Sequence, residues 1–160
     1  MERVNKILEH EQFKKCCKKI EKWEKKRKFC RHNMVHFLDV ARIAYVYNLQ
    51  EQTGIEKELI YAAALLHDIG RFKQYEDKTP HEKASLKYAP KILEDCGFNA
   101  QERESICEAI ANHRNKEIAQ EHSFRGIFYR ADKASRPCFA CKMESECNWK
   151  GEKKNKMLNI

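Results

Sequence analysis

The dipeptide His67-Asp68 closes the apolar run Tyr61-Ala-Ala-Ala-Leu-Leu66 and is followed by Ile69-Gly70-Arg71. An imidazole and a carboxylate side by side after a buried helical stretch are poor core residues and good metal ligands. Their nitrogen and oxygen donors suit Fe, Mn, Zn or Ni, and a carboxylate can bridge two ions. Further ligand types flank the pair: His36 upstream, then His81, His113 and Asp132 downstream. Thirty residues separate His36 from His67, twelve separate Asp68 from His81, thirty-one separate His81 from His113, and eighteen separate His113 from Asp132. A lone histidine on an apolar face is more often a hydrogen-bonded core residue than a ligand. Four histidines and two aspartates, each near the apolar face or end of a helix, match the way bundles build metal sites from facing helices.

A second group lies in the tail, where Cys138, Cys141 and Cys147 form a C-x2-C-x5-C pattern in a polar segment. A C-x2-C turn lets two thiolates take adjacent vertices of one tetrahedral metal or cluster iron, and a third cysteine tightens the site. A thiol–disulfide redox role is the alternative, and no role at all the bland one. The other cysteines, Cys16, Cys17, Cys96 and Cys107, fall on helical segments as buried or inert thiols. The total of eight cysteines would suit a disulfide scaffold only in a short secreted chain.

The elements that must position these groups read as helices almost throughout. Proline and glycine are scarce, and no alternating strand pattern persists. The spacing predicts a first helix over about 2–26, a second from His36 to Leu49, and a third capped by Thr53 and Glu56 and ending at Leu66. Thr79-Pro80-His81-Glu82 reads as a helix start with Thr79 at the N-cap and Pro80 at N1, which puts His81 in a first turn. Asn99 and Glu102 cap a helix carrying Ile106, Ile110 and His113, and a last helix runs from about Ser123 through Asp132. The fold class is all-α, a compact bundle of about six helices with a short irregular Cys-rich tail.

At 160 residues the chain is one ordinary domain able to bury a real core. Its start is too charged for a signal peptide and no stretch is apolar enough to span a bilayer, so a cytoplasmic protein without membrane contact is expected. The net charge of +8 is concentrated between Lys14 and Lys28, where nine basic residues meet only Glu21 and Glu24. That run reads either as a solvated helix face or as a contact for a nucleotide, a nucleic acid or another polyanion. Ile20, Trp23 and Phe29 interleave with the lysines, so one face can dock while the other stays wet.

The order His … His-Asp … His … His … Asp resembles the HD-domain metal-dependent phosphohydrolases, and the string HDIG resembles their HDIG-type subgroup. His36 in HFLDVARIA is similar to the family's H-x-x-x-V-A element, and Asp132 in RAD to its closing aspartate. The resemblance implies three segments: a basic N-terminal helical segment packed on the domain (1–30), an HD-type metal-binding domain (31–136) and a Cys-rich extension (137–160). It implies one or two divalent transition ions (Fe, Mn, Zn or Ni). One is held by His36, His67, Asp68 and Asp132 and, as in the members with two ions, a second by His81 and His113 that Asp68 shares, with a one-ion site as the alternative. Asp68, Arg71 and Lys133 then carry catalysis. Arg71, Arg114 and Lys133 are the cations expected at substrate phosphate, with an exposed helix-end base as the alternative for each. His32, four residues before His36, reads either as a substrate contact, supporting group or extra ligand or as a helix-terminal residue with no role. His10 and His122 read as surface residues. If His36 and Asp132 share an ion and their helices run antiparallel, Cys30 and Cys138 both lie about 9 Å along the axes from it. Cys30 is therefore the expected fourth partner of Cys138, Cys141 and Cys147, around zinc or an iron–sulfur cluster.

The function implied is hydrolysis of a nucleotide or related small phosphoester by metal-activated water. The chain shows no GYP signature, which weakens a cyclic-dinucleotide substrate. Two alternatives stay open: a metal- or redox-responsive interaction or RNA-binding module with vestigial HD activity, and a di-iron oxygenase-like enzyme. Many family members pair, so a homodimer is compatible with the resemblance.

Overall fold

The computed structural model describes residues 1–158, and within them the chain is helical with no strand. Nine α-helices follow one another: α1 (Glu2–Glu9), α2 (Glu11–Glu24), α3 (Met34–Gln50), α4 (Lys57–Leu66), α5 (Arg71–Glu76), α6 (His81–Ser85), α7 (Ala89–Asp95), α8 (Ala100–Asn112) and α9 (Phe124–Ala134). The count exceeds six partly because the expected first helix breaks. His10 has an extended backbone, and its Nδ1 accepts from the Gln12 amide, so it ends α1 and caps α2. The stretch after His67-Asp68 also divides, into the short α5 and α6.

Two expected starts shift for local reasons. Thr53 is not a cap: its hydroxyl donates to Asn48 Oδ1 at 2.6 Å, and α4 begins at Lys57 behind Glu56. Pro80, not Thr79, is the N-cap of α6, because Asp77 takes the Thr79 amide into a turn of its own. The Asn99–Glu102 capping box forms in full, Ser123 caps α9, and α3 starts two residues before His36 behind the Asn33 cap.

Helix α4 is apolar on nearly every face and is accordingly central, with residues 60 and 62–66 all buried. It packs on α3 and α8, and α9 packs on α3 and α8 from the other side. Alanines at 41, 44 and 62–64 let these helices approach closely, while Phe37 and Phe128 fill the space between them. The N-terminal segment docks through Val4, Ile7, Phe13, Cys16 and Ile20, with α1 on α4 and α2 on α5. Trp23 does not join that docking face; it is half exposed and stacks on Tyr75 with ring centroids 6.0 Å apart. No described helix is long and apolar enough to cross a membrane.

Candidate metal centre

The ends of four central helices deliver the ligand types to one place. His67 is the C-cap of α4, and Asp68 follows it in the turn into α5. His36 sits in the first turn of α3, Asp132 in the last turn of α9, His113 caps the end of α8, and His81 opens α6. The glycine of HDIG has a steric reason. A Cβ on Gly70 would lie 2.3 Å from the Ser85 amide nitrogen and 2.7 Å from the Ala84 Cβ. Its absence lets α6 approach, and the Gly70 amide donates to Ser85 Oγ at 2.9 Å. That contact sets His81 against Asp68.

Two triads bring three donor atoms within 4.8 Å of one another: His36, His67 and Asp132, and Asp68, His81 and His113. Asp68 stands between them. Its Oδ2 lies 3.3 Å from His67 Nε2 and 3.5 Å from His36 Nε2, while its Oδ1 lies 3.2 Å from His81 Nε2 and 3.8 Å from His113 Nε2. Asp132 Oδ1 completes the first group, 3.6 Å from His36 and 3.9 Å from His67.

The hydrogen bonds behind the rings fix which nitrogen faces inward. His67 Nδ1 donates to Ala64 O at 2.8 Å, and His113 Nδ1 donates to Ile110 O at 2.6 Å. Ser135 Oγ donates to Asp132 O, so it accepts from His36 Nδ1, 3.3 Å away. Gln74 Oε1, 2.6 Å from His81 Nδ1, can only accept. With Nδ1 so engaged, His36, His67 and His113 turn Nε2 toward the centre. His81 Nδ1 also lies 2.7 Å from Arg71 Nη1, which can only donate, so its two partners call for opposite roles. Yet the Nε2 atoms of His36 and His67 are 3.3 Å apart, and those of His81 and His113 are 3.1 Å apart. Lone pairs that close repel unless a cation lies between them. Asp68 Oδ1 is buried with no hydrogen-bond partner, which calls for the same remedy. The donor set thus fits one or two divalent ions.

The electrostatics agree. Burial lowers His81 to about 3 and His113 to about 4, keeping both rings neutral. Burial opposes ionisation of Asp68 and Asp132, but the facing histidines, and Lys133 for Asp132, hold both carboxylates well below their usual range. His67 moves the other way: burial disfavours its charge, and the attraction of Asp68 and Asp132 outweighs that and raises it. A proton on this ring meets the same demand for positive charge as a metal ion would.

Around this floor lies a cavity of about 260 Å³ whose rim carries Arg27, Arg31, Arg71, Arg114, Lys133 and Arg136. Arg71 donates to Gln74 Oε1 and Tyr75 Oη. Lys133 donates to His113 O at 3.0 Å and pairs with Asp132. Arg114 is half exposed and reaches Glu82. His32 also lines the cavity, but it precedes α3 and is not on a shared helical face with His36. It is held instead by buried Glu24: Glu24 Oε1 is 2.5 Å from His32 Nδ1, and Oε2 accepts from the His32 amide. This leaves His32 Nε2 3.8 Å from Asp68 Oδ2. The Tyr75 hydroxyl donates to the same Glu24. Glu24, Gln74, Tyr75 and Ser135 are partners that sequence reasoning missed, since nothing local sets them apart from ordinary helix residues.

His10 and His122 stand elsewhere, paired with Asp95 and Glu51. Cys16 and Cys96 are buried, and Cys17 and Cys107 are half-buried. Cys30 and Cys147 line the cavity with the histidines, yet the cysteines are not among the groups with three donors drawn within 4.8 Å.

Residues 34–137 match the family model of the HD domain. The chain belongs to the HD-domain family. HD domains form a superfamily of metal-dependent phosphohydrolases, and the matched span contains all six histidine and aspartate ligand types. An uncharacterized protein of Clostridium beijerinckii is 48% identical over 155 residues, covering 97% of each chain. No solved structure matches.

Proposed function

We propose that this HD domain hydrolyses the phosphoester of a nucleotide or a comparably small organic phosphate, with water as the attacking group. The observation that carries the reading is the Asp68 carboxylate, which faces a histidine pair with each oxygen at the base of a cavity rimmed by six cationic side chains. His36, His67 and Asp132 would hold one divalent ion, His81 and His113 the other, with Asp68 common to both. Such ions, when bound, lower the pKa of a shared water and offset charge on phosphoryl oxygens.

The chain's own residues supply position and charge. Arg71, steadied by Gln74 and Tyr75, and Lys133, tied to the His113 carbonyl, bind phosphate oxygens beside the ligands. His32, its Nδ1 fixed on Glu24, offers Nε2 to a substrate oxygen next to Asp68. Arg114 and Arg136 add attraction at the mouth. A cavity of about 260 Å³ favours a mononucleotide or smaller ester over a dinucleotide.

The test is a phosphoester screen with protein loaded with Mn, Fe, Zn or Ni, run beside Asp68→Asn. Release of inorganic phosphate from a small ester, absent in Asp68→Asn, is expected. Phosphate release that Asp68→Asn leaves unchanged would overturn the reading, as would oxygen consumption by an iron-loaded form that hydrolyses nothing.

A further inference from the structure

Residues 136–158 include none that is buried, so this segment has no apolar core of its own. Phe139 and Trp149 are about half exposed. Polar contacts return it to the domain. Asn155 Nδ2 donates to the carbonyls of Lys133, Ala134 and Arg136, and its own carbonyl accepts from the Phe139 amide. Lys154 Nζ bonds Glu144 through its carbonyl at 2.6 Å and its carboxylate at 2.8 Å. Segments this short and polar need a covalent or metal fastening to hold one shape.

The backbone provides a frame for one. The Cys141 amide donates to Cys138 O, Glu144 to Cys141 O, and Cys147 to Glu144 O, at 3.2, 3.1 and 3.3 Å. Three cysteines thus recur along consecutive turns. Cys30 comes to them from the loop between α2 and α3. Although the residue is exposed overall, partial burial of its thiol and then the facing thiols of Cys138 and Cys141 push its pKa up. Cys147 shares a cavity wall with Cys30. Positive charge stands ready for an anionic centre: Arg27 donates to Cys30 O at 2.7 Å, and Arg136 lies near the Cys30 thiol.

We propose that Cys30, Cys138, Cys141 and Cys147 form a tetrathiolate site for a thiophilic metal centre, a zinc ion or the iron of a cluster, which fastens the C-terminal segment as one wall of the HD cavity. The thiols draw together as each loses its proton to the medium on binding. The centre carries no step of the hydrolysis. It holds Cys147, Asn148 and Trp149 against the pocket.

Cobalt titration of the full-length, metal-free protein tests this apart from the HD site, whose ligands are nitrogen and oxygen only. One cobalt per chain should give a thiolate-to-cobalt charge-transfer band. Cys138→Ser and Cys141→Ser should lose the band, and Asp68→Asn should keep it. As purified without oxygen or chelators, the protein should hold either zinc beyond the HD site or iron with acid-labile sulfide, and each should vanish in the cysteine variants. The sulfide result would name the centre a cluster. If those variants fail to fold, the unaltered protein serves: added zinc should slow trypsin cleavage in the segment after Pro137. Absence of the band while cobalt fills the HD site, equal metal content in wild type and folded cysteine variants, or cleavage indifferent to zinc would overturn the proposal.

Discussion

Ser135 shows how a cluster of ligand types is held by residues outside it. Its hydroxyl is oriented by Asp132 O and in turn orients His36. Ser135→Ala should lower metal affinity about 10–100-fold while leaving the fold intact, measured by competition with a chelator. Glu24 supports the other side. Burial works against its charge, but its bonds to His32 and Tyr75 win and lower its pKa from 4.5 to about 2. A depressed carboxylate adds stability above its unfolded value and loses it as the pH falls through the folded one. Glu24→Gln should therefore be less stable at neutral pH, by at most about 3 kcal/mol, and the two proteins should converge between pH 4.5 and about 2. Denaturant titrations at several pH values check this. The two histidine–aspartate groups were legible as a cluster because histidine and aspartate at apolar helix ends are rare. Glu24 was not, because in sequence it is one acid within a lysine-rich run, and only the fold places it under His32.

Among the elements, α6 is the shortest α-helix and packs on α5 and α8. It is five residues long, too short to persist unless packed, and it meets the chain at Gly70. Gly70→Ala should cost about 1–3 kcal/mol through the clash with Ser85, read from the thermal midpoint. The same substitution should remove the second ion before the first, because His81 moves while His36 and Asp132 do not. The cap at Asn99 was readable as local chemistry, and the start of the last helix was placed near Ser123, which caps it. The break at His10 was not readable, because a histidine capping through Nδ1 is an uncommon local signal. Nor was the shift from Thr53 to Glu56, because Thr53 is taken by Asn48, outside that helix start. The apolar stripe of the first segment was read correctly at Ile20 and wrongly at Trp23, which meets Tyr75 beside the pocket instead of the core.

At the scale of the molecule, charge and shape work together. The excess of +8 was legible, and the concentration of lysines on α2 drew attention to that helix. Folding shows a different concentration, in which arginines from the loop before α3, from α5 and from the tail gather with Lys133 around one cavity. The resemblance led to the expectation of Arg71, Arg114 and Lys133 there, whereas Arg27, Arg31 and Arg136 were not read from sequence because nothing local ties them to the histidines. The arrangement predicts that KM for an anionic substrate rises with added salt while kcat changes little, because screening weakens attraction at the mouth more than contacts at the buried floor. Steady-state rates from low to physiological ionic strength test this; a salt-independent KM would place substrate binding elsewhere.

The chain has only two tryptophans, Trp23 and Trp149. Trp149 lines the cavity and lies against Arg136, whose guanidinium carbon is 4.2 Å from its ring centroid. The protein therefore carries its own optical gauge. With Trp23 replaced by Phe, every photon emitted by indole would come from the rim of the pocket. Its intensity would report, without any added label, when a phosphate ester draws Arg136 away or when the tail lifts.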